Sequence, residues 1–278
     1  MGGPFEGKPG PLIFQKHTNW SISDDTQLTL ATCESIVLTQ SISPEHIANR
    51  FLQWYRDRRI TGIGASSLAA LRALEAGLHW ALAGAKGEMS AGNGAAMRIA
   101  PLAFHLDPSA HEDRQLIRDV CRITHQNEEA YAGALAIVAA IRSLAFHDAA
   151  PDQLLENVLM RLPDSRVRDR ILKMAQLPPN QSLNTIASQF GNSGYVVDSV
   201  PLALFAARSI DQLPLETLLQ NVIEAGGDTD TIASMTGQIA GASLGATKIP
   251  DELLRSLPNL REIETIAAEF SETIKESP

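Results

Sequence analysis

Apolar residues recur at helical spacing through most of this chain. From Thr26 onward, Leu28, Ala31, Ser35 and Leu38 fall on one face at intervals of three and four, which predicts an amphipathic helix. Pro44 suits the first turn of a helix and predicts one over 44–57. A stretch rich in Ala and Leu predicts another over 65–84. Residues 111–149 read as two long helices broken near Thr124-His125. Pro151, Pro163 and the Pro178-Pro179 pair punctuate the helices that follow. Leu218, Leu219, Val222 and Ile223 mark a helix that runs into Gly226-Gly227. Residues 1–22 are rich in Gly and Pro, lack any period, and read as an extended surface segment. No alternation of apolar and polar residues is long enough to predict a sheet. The expected fold is therefore all-α, a single-domain orthogonal helical bundle over residues 1–278.

The chain's 278 residues suffice to bury a large core. Apolar residues make up 44 % and charged residues 20 %, as in an ordinary globular protein. A formal net charge of −9 argues against a broad nucleic-acid surface or an acidic-membrane surface, and leaves room for a small anion held by local donors. Cys33 and Cys121 form no spaced metal or redox motif, so two reduced thiols in a cytoplasmic protein are expected. The run Ala132 to Ile141 is shorter than a membrane span and is closed by Arg142. No basic region followed by an apolar core opens the chain. A monomer with no membrane partner is the simplest expectation.

Candidate chemistry concentrates at two places. Gly226-Gly227-Asp228-Thr229-Asp230-Thr231 interleaves carboxylates with hydroxyls after a glycine pair, just before helix-compatible sequence. Glycines permit backbone conformations that other residues avoid. Asp and Thr are good N-cap types, so one reading is a capped helix after a turn. The other is a hard-cation site, because oxygen-only ligands suit Mg2+, Mn2+ or Ca2+. Ser23-Asp24-Asp25-Thr26 repeats the theme near the other end of the chain. Adjacent carboxylates repel, and are tolerated at an exposed helix start or when held by a cation. Two hydroxyl-flanked pairs, each opening a helix, suggest one site made from distant segments. Gly237, Gly241 and Gly245 recur every fourth residue beyond the second pair and read as a bare ridge for close helix packing; no apolar span surrounds them to support a membrane dimer motif.

These two motifs resemble the signatures of the ADP-ribosylglycohydrolases, which include the dinitrogenase-reductase-activating glycohydrolases. Gly92-Asn93-Gly94-Ala95-Ala96-Met97-Arg98 resembles that family's glycine-rich loop, Thr124-His125 a further block, and Phe190 to Pro201, with Asn192-Ser193-Gly194-Tyr195, another. The five blocks stand in the family's order from residue 1 to about residue 246. Family members carry a first helix ending in a Gly-Asp-Ala-Leu-Gly-like sequence. This chain opens Met1-Gly2-Gly3-Pro4-Phe5-Glu6, inside the turn that follows it, and retains Glu6. The coding sequence upstream of Met1 decides among a start assigned too late, a chain that has been shortened and a protein that lacks that helix.

The resemblance implies two Mg2+ or Mn2+ ions held by Glu6, Ser23, Asp24, Asp25, Asp228, Asp230 and Thr231. Charge supports two ions better than one: five carboxylates in one cleft would raise one another's pKa values, and two divalent ions supply four positive charges. The implied reaction is hydrolysis of the glycosidic bond at the anomeric carbon of ADP-ribose on an ADP-ribosylated protein or a small ADP-ribose conjugate. Asp24 or Asp25 is the candidate for activating water. The glycine-rich loop, Ser90 with Gly92, Asn93 and Gly94, suits the pyrophosphate because bare backbone N–H groups approach an anion closely. Arg98 either adds charge to that loop or pairs with a carboxylate. His125 lies by the phosphates or ribose in the family pattern, or is a buried histidine at a helix break. Asn192, Ser193, Gly194 and Tyr195 match the block bordering the adenosine, where Tyr195 stacks on the base or belongs to the core. His17, His79, His105, His111 and His147 show no metal spacing. Two other functions compete: hydrolysis of O-acetyl-ADP-ribose or another nucleotide derivative, and non-catalytic ADP-ribose binding.

Overall fold

A computed structural model describes residues 1–13, 20–147, 149–178 and 181–274. His17 and Pro179, singled out above, lie outside these. Among the described residues the α-helices are α1 (Asp24–Thr39), α2 (Pro44–Arg56), α3 (Ala65–Glu75), α4 (Trp80–Ala83), α5 (His111–Arg122), α6 (Glu128–Phe146), α7 (Leu154–Leu159), α8 (Arg166–Ala175), α9 (Leu183–Phe190), α10 (Val196–Ala207), α11 (Leu215–Glu224), α12 (Thr229–Leu244), α13 (Asp251–Arg255) and α14 (Leu260–Ser271). The all-α expectation holds. Two pairs of two-residue strands complete the list. β1 (Lys8–Pro9) runs antiparallel to β4 (Gly226–Gly227), and β2 (Ala85–Lys86) runs parallel to β3 (His125–Gln126).

The core is organised around α6. Its residues from Ala130 to Ile141 are all buried, and it packs on α5, α7, α10 and α12. Asn127 caps it, accepting from the Glu129 and Ala130 N–H groups. The helix extends the apolar run at both ends and becomes long and apolar enough to cross a membrane by length and composition, with 78 % of its most apolar stretch buried inside the protein. Cover on several sides by other helices marks it as a core helix. Alanines and Gly133 allow that cover to come close: a Cβ on Gly133 would lie 2.3 Å from Val196 Cγ2 on α10.

Several expectations need correction. The helix over 65–84 is two helices, because Gly77 sits at φ +90 and cannot continue a right-handed helix; His79 then caps α4. Leu28, Ala31 and Ser35 are buried as predicted, whereas Leu38 is 61 % exposed, because the last turn of α1 runs past the core. The glycine ridge is not a close-packing face. A Cβ on Gly237 would meet Leu219 at an ordinary 3.8 Å, one on Gly241 would meet nothing within 4 Å, and Gly245 lies beyond the end of α12. The opening segment is exposed over most of its described residues, as a surface segment should be, but it is docked at two points. Gly2 and Phe5 are buried, and the Gly2 carbonyl accepts from Thr229 Oγ1 at 2.9 Å.

Candidate functional site

The starts of α1 and α12 lie together at the floor of one cleft of about 520 Å³. Each brings acidic residues, and neither spends them on capping: Ser23 and Asp228 occupy the N-cap positions without a side-chain bond to the helix backbone. Ser23 Oγ instead donates to Asp25 Oδ2 at 2.6 Å. Asp228 Oδ2 accepts from Asn93 Nδ2 at 2.7 Å. The capped-helix reading of these motifs therefore fails, and the carboxylates are directed at one another. Glu6 joins them from the opening segment, with ligand atoms of Glu6, Asp228 and Asp230 all within 4.8 Å of one another.

The glycine pair makes this convergence possible. Gly226 and Gly227 sit at φ +75 and +79. A Cβ on Gly226 would lie 2.3 Å from Gly10 N, and one on Gly227 would lie 2.1 Å from the Asn192 carbonyl oxygen. Only glycine admits both the conformation and the contact. Through it β4 pairs with β1, and Gly7 N donates to the Gly227 carbonyl at 2.7 Å, which fixes Glu6 next door.

Crowding and burial hold these acids well above the ordinary carboxylate range. Burial, then Asp25, pushes Asp24 up to about 7. Burial raises Asp25 to about 6, against the hydroxyl of Ser23. Burial, then Asp25, Asp228 and Glu6, raises Asp230 to about 8. Asp25 Oδ1 and Asp230 Oδ1 are buried with no hydrogen-bond donor. A buried carboxylate oxygen without a donor is costly. Orphaned oxygens, an all-oxygen donor set and mutual repulsion together fit divalent cations of the hard class.

Around this floor stand three loops. Gly92, Asn93 and Gly94 form one wall with His125, and Asn192, Ser193 and Gly194 form another. Asn93 is spent on Asp228 and Ser199, so its side chain braces the acidic floor. The Asn192 carbonyl accepts the Asp228 N–H at 2.8 Å, and its amide donates to the Ala225 carbonyl at 2.9 Å. Ser193 Oγ donates to Asp198 at 2.8 Å. His125 is buried, shares a 2.7 Å hydrogen bond with Thr124 through Nδ1, and turns Nε2 toward Gly92 and Gly94. Burial, then the Arg98 charge, lowers it to about 3, so its ring is neutral. Thr231 lines the floor. Ser90 and Tyr195 lie apart from the cleft lining: Ser90 Oγ donates to the Gly87 carbonyl at 2.6 Å, and half-buried Tyr195 bridges to Gly92 with its hydroxyl 3.5 Å from Arg166. Of the other histidines, His79 caps α4, His105 faces Thr273 and Phe270, and His111 and His147 are exposed.

The third loop escaped the sequence reading. Gly62, Gly64, Ala65, Ser66 and Ser67 line the cleft where α3 begins. Gly64 caps α3 without a side chain, so the positive end of the helix dipole is free to face an anion. Gln27 on α1 anchors this loop, donating to Thr61 Oγ1 at 3.0 Å and accepting from Thr61 N at 2.8 Å. The signal was a Gly-Ile-Gly-Ala-Ser-Ser run ahead of a helix, which the single long helix over 65–84 had absorbed.

Comparison with known proteins identifies the family and the fold. The family pattern described as ADP-ribosylglycohydrolase matches residues 1–278. A protein of Archaeoglobus fulgidus is 31 % identical over 269 residues, covering 95 % of this chain and 84 % of its own. Mouse ADP-ribosylhydrolase ARH3 is 27 % identical over 289 residues, covering 92 % and 78 %. A solved structure titled ADP-ribosylglycohydrolase-related protein complex superposes with a TM-score of 0.74 at 26 % identity, over 99 % of this chain and 93 % of that one. Matched by that pattern over its whole length and helical like the solved structure it superposes on, the chain belongs to the ADP-ribosylglycohydrolase family.

Proposed function

We propose that this protein hydrolyses the glycosidic bond between ADP-ribose and a modified acceptor, a protein or a small conjugate, using two divalent cations. One observation carries the reading: four carboxylates from three chain segments, Glu6, Asp24, Asp228 and Asp230, line one cleft with Asp25 behind them, and the buried Oδ1 atoms of Asp25 and Asp230 lack donors. Glu6, Ser23, Asp24, Asp25, Asp228, Asp230 and Thr231 are the residues to hold Mg2+ or Mn2+. Bound there, the cations supply four positive charges, orient ribose hydroxyls and polarise water.

The remaining work falls to the chain itself. The cleft has the volume of an ordinary small-molecule site, typically about 300–1,000 Å³. Gly92, Gly94 and the open start of α3 offer backbone donors to a pyrophosphate. Neutral His125 adds no charge repulsion beside a ribose and can exchange hydrogen bonds through Nε2. Asp24 lines the cleft and Asp25 stands behind it, so Asp24 is placed to take the proton from an attacking water while Asp25 holds the floor. Cleavage passes through an oxocarbenium-like transition state, which a floor of carboxylates stabilises.

The test is release of ADP-ribose from mono-ADP-ribosylated protein, ADP-ribosyl guanidine and O-acetyl-ADP-ribose, with Mg2+ or Mn2+ and with EDTA. Metal-dependent release from one of them is expected. Tight ADP-ribose binding with no release from any would replace the hydrolase with a binding protein.

A further inference from the structure

Among the described residues, Arg98 is a basic side chain buried against the cleft walls that the chemistry above leaves unused. It is only 1 % exposed. Its guanidinium donates through NH1 to the Gly94 carbonyl and through NH2 to the Val120 carbonyl at 3.4 Å, and lies over the Phe51 ring at 5.1 Å from the centroid. Its Nε has no partner. None of these contacts is a carboxylate. A buried cation without a paired anion costs several kcal/mol unless a nearby field offsets it.

Two features of its place explain why it stays. Gly94 belongs to the glycine loop, and Val120 belongs to the last turn of α5, which ends at Arg122 just before Thr124 and, in β3, His125. Gly94 and His125 are in tight contact: a Cβ on Gly94 would lie 2.8 Å from His125 Cε1. Arg98 thus ties both halves of one wall to a single planar fork, a geometry that lysine's point charge cannot reproduce. The acidic floor is the second feature. Burial lowers Arg98 to about 10 and the Asp24 charge acts against that, so the guanidinium stays positive behind a wall of the same cleft.

We propose that Arg98 is a positioning residue that sets the Gly94–His125 wall for the diphosphate of ADP-ribose, and that its charge weakens cation binding on the floor. This rests on the ADP-ribose reading above. The two roles predict shifts of opposite sign, which a merely structural side chain would not give.

Calorimetry on the purified protein, with Mn2+ alone and then ADP-ribose with Mn2+ present, decides it. Arg98→Met should weaken ADP-ribose binding by about tenfold or more, the loss of a charged hydrogen bond to the loop. The same variant should bind Mn2+ more tightly than wild type. Arg98→Lys keeps the charge and gives up the two-carbonyl bridge, so ADP-ribose binding should fall while Mn2+ binding stays as in wild type. If Arg98→Met does not fold, Arg98→Lys decides alone. Loss of both affinities together, or ADP-ribose binding that neither variant changes, overturns the proposal. Wild type that binds no ADP-ribose overturns it along with the reading on which it rests. Wild type that binds both ligands, with variants that behave identically, overturns the Arg98 role only.

Discussion

Raising pH should destabilise the metal-free protein in a range where most proteins are indifferent, and divalent cations should abolish that effect. Asp24, Asp25 and Asp230 ionise in the folded protein at about 7, about 6 and about 8, against an ordinary 3.8. A raised carboxyl binds its proton more tightly folded than unfolded. Stability is therefore full near and below the unfolded value and declines as pH rises toward the folded one. The window is about pH 4 to about pH 8, of which the part above about pH 5 is free of general acid denaturation. For Asp24 alone, the change from 3.8 to about 7 corresponds to roughly 4 kcal/mol at full ionisation, taking about 1.4 kcal/mol per tenfold change in proton affinity. In a chain of this size that is on the order of 10 °C in melting temperature. Asparagine cannot ionise, so Asp24→Asn should flatten the slope. The assay is thermal melting of wild type and Asp24→Asn from about pH 5 to about pH 8, in EDTA and in saturating Mn2+. Wild type should lose stability across that range in EDTA and keep it in Mn2+, and Asp24→Asn should lose much less in EDTA. Parallel slopes for the two proteins in EDTA, or a slope in wild type that Mn2+ leaves untouched, would refute the assignment of crowded acids to this floor.

Three further outcomes follow from the same geometry. Asp228→Ala and Asp230→Ala should each abolish calorimetric binding of Mg2+ or Mn2+ at one or both positions, and binding equal to wild type would sink the ligand assignment. ADP-ribose with metal should stabilise the folded protein by roughly 2.7 kcal/mol at about 100 times its dissociation constant, with AMP giving less because it lacks the second ribose; equal shifts in melting temperature would favour a plain nucleotide site. Gly227→Ala should destabilise by at least about 2 kcal/mol in denaturant unfolding, since it combines φ +79 with a Cβ 2.1 Å from the Asn192 carbonyl oxygen, and a neutral effect would contradict the close approach of the two loops.

The acidic motifs were legible because their chemistry is local: paired carboxylates flanked by hydroxyls, adjacent at 24–25 and two apart after glycines at 228–230, mark a helix start with oxygen donors wherever it lands. Pro44 and the Thr124-His125 break were legible for a similar reason, since backbone restrictions act on their own residue. What could not be read depends on where a side chain points after packing. Asn93 looked like a ligand contact and is spent on Asp228. Ser90 stood in the right loop and donates backward to Gly87. Periodicity carried the prediction past Gly77, because Ala and Leu continue at helical spacing on both sides of it. The docking of residues 2–9 left no pattern at all, for a two-residue ladder of Lys8 and Pro9 against two glycines has no alternation to detect.

The hydrogen bond from Thr229 to Gly2 joins residues 227 positions apart, and it belongs to the same junction that brings Glu6 to Asp230. That separation has a consequence during synthesis. At about 5–20 residues per second, Asp24 and Asp25 precede Asp228 by roughly 10 to 40 s on the ribosome. Throughout that interval the first pair and Glu6 lack Asp228 and Asp230, so the acidic floor is incomplete. On the proposed reading the cleft is therefore complete, and able to hold metal and substrate, only once α12 has been made.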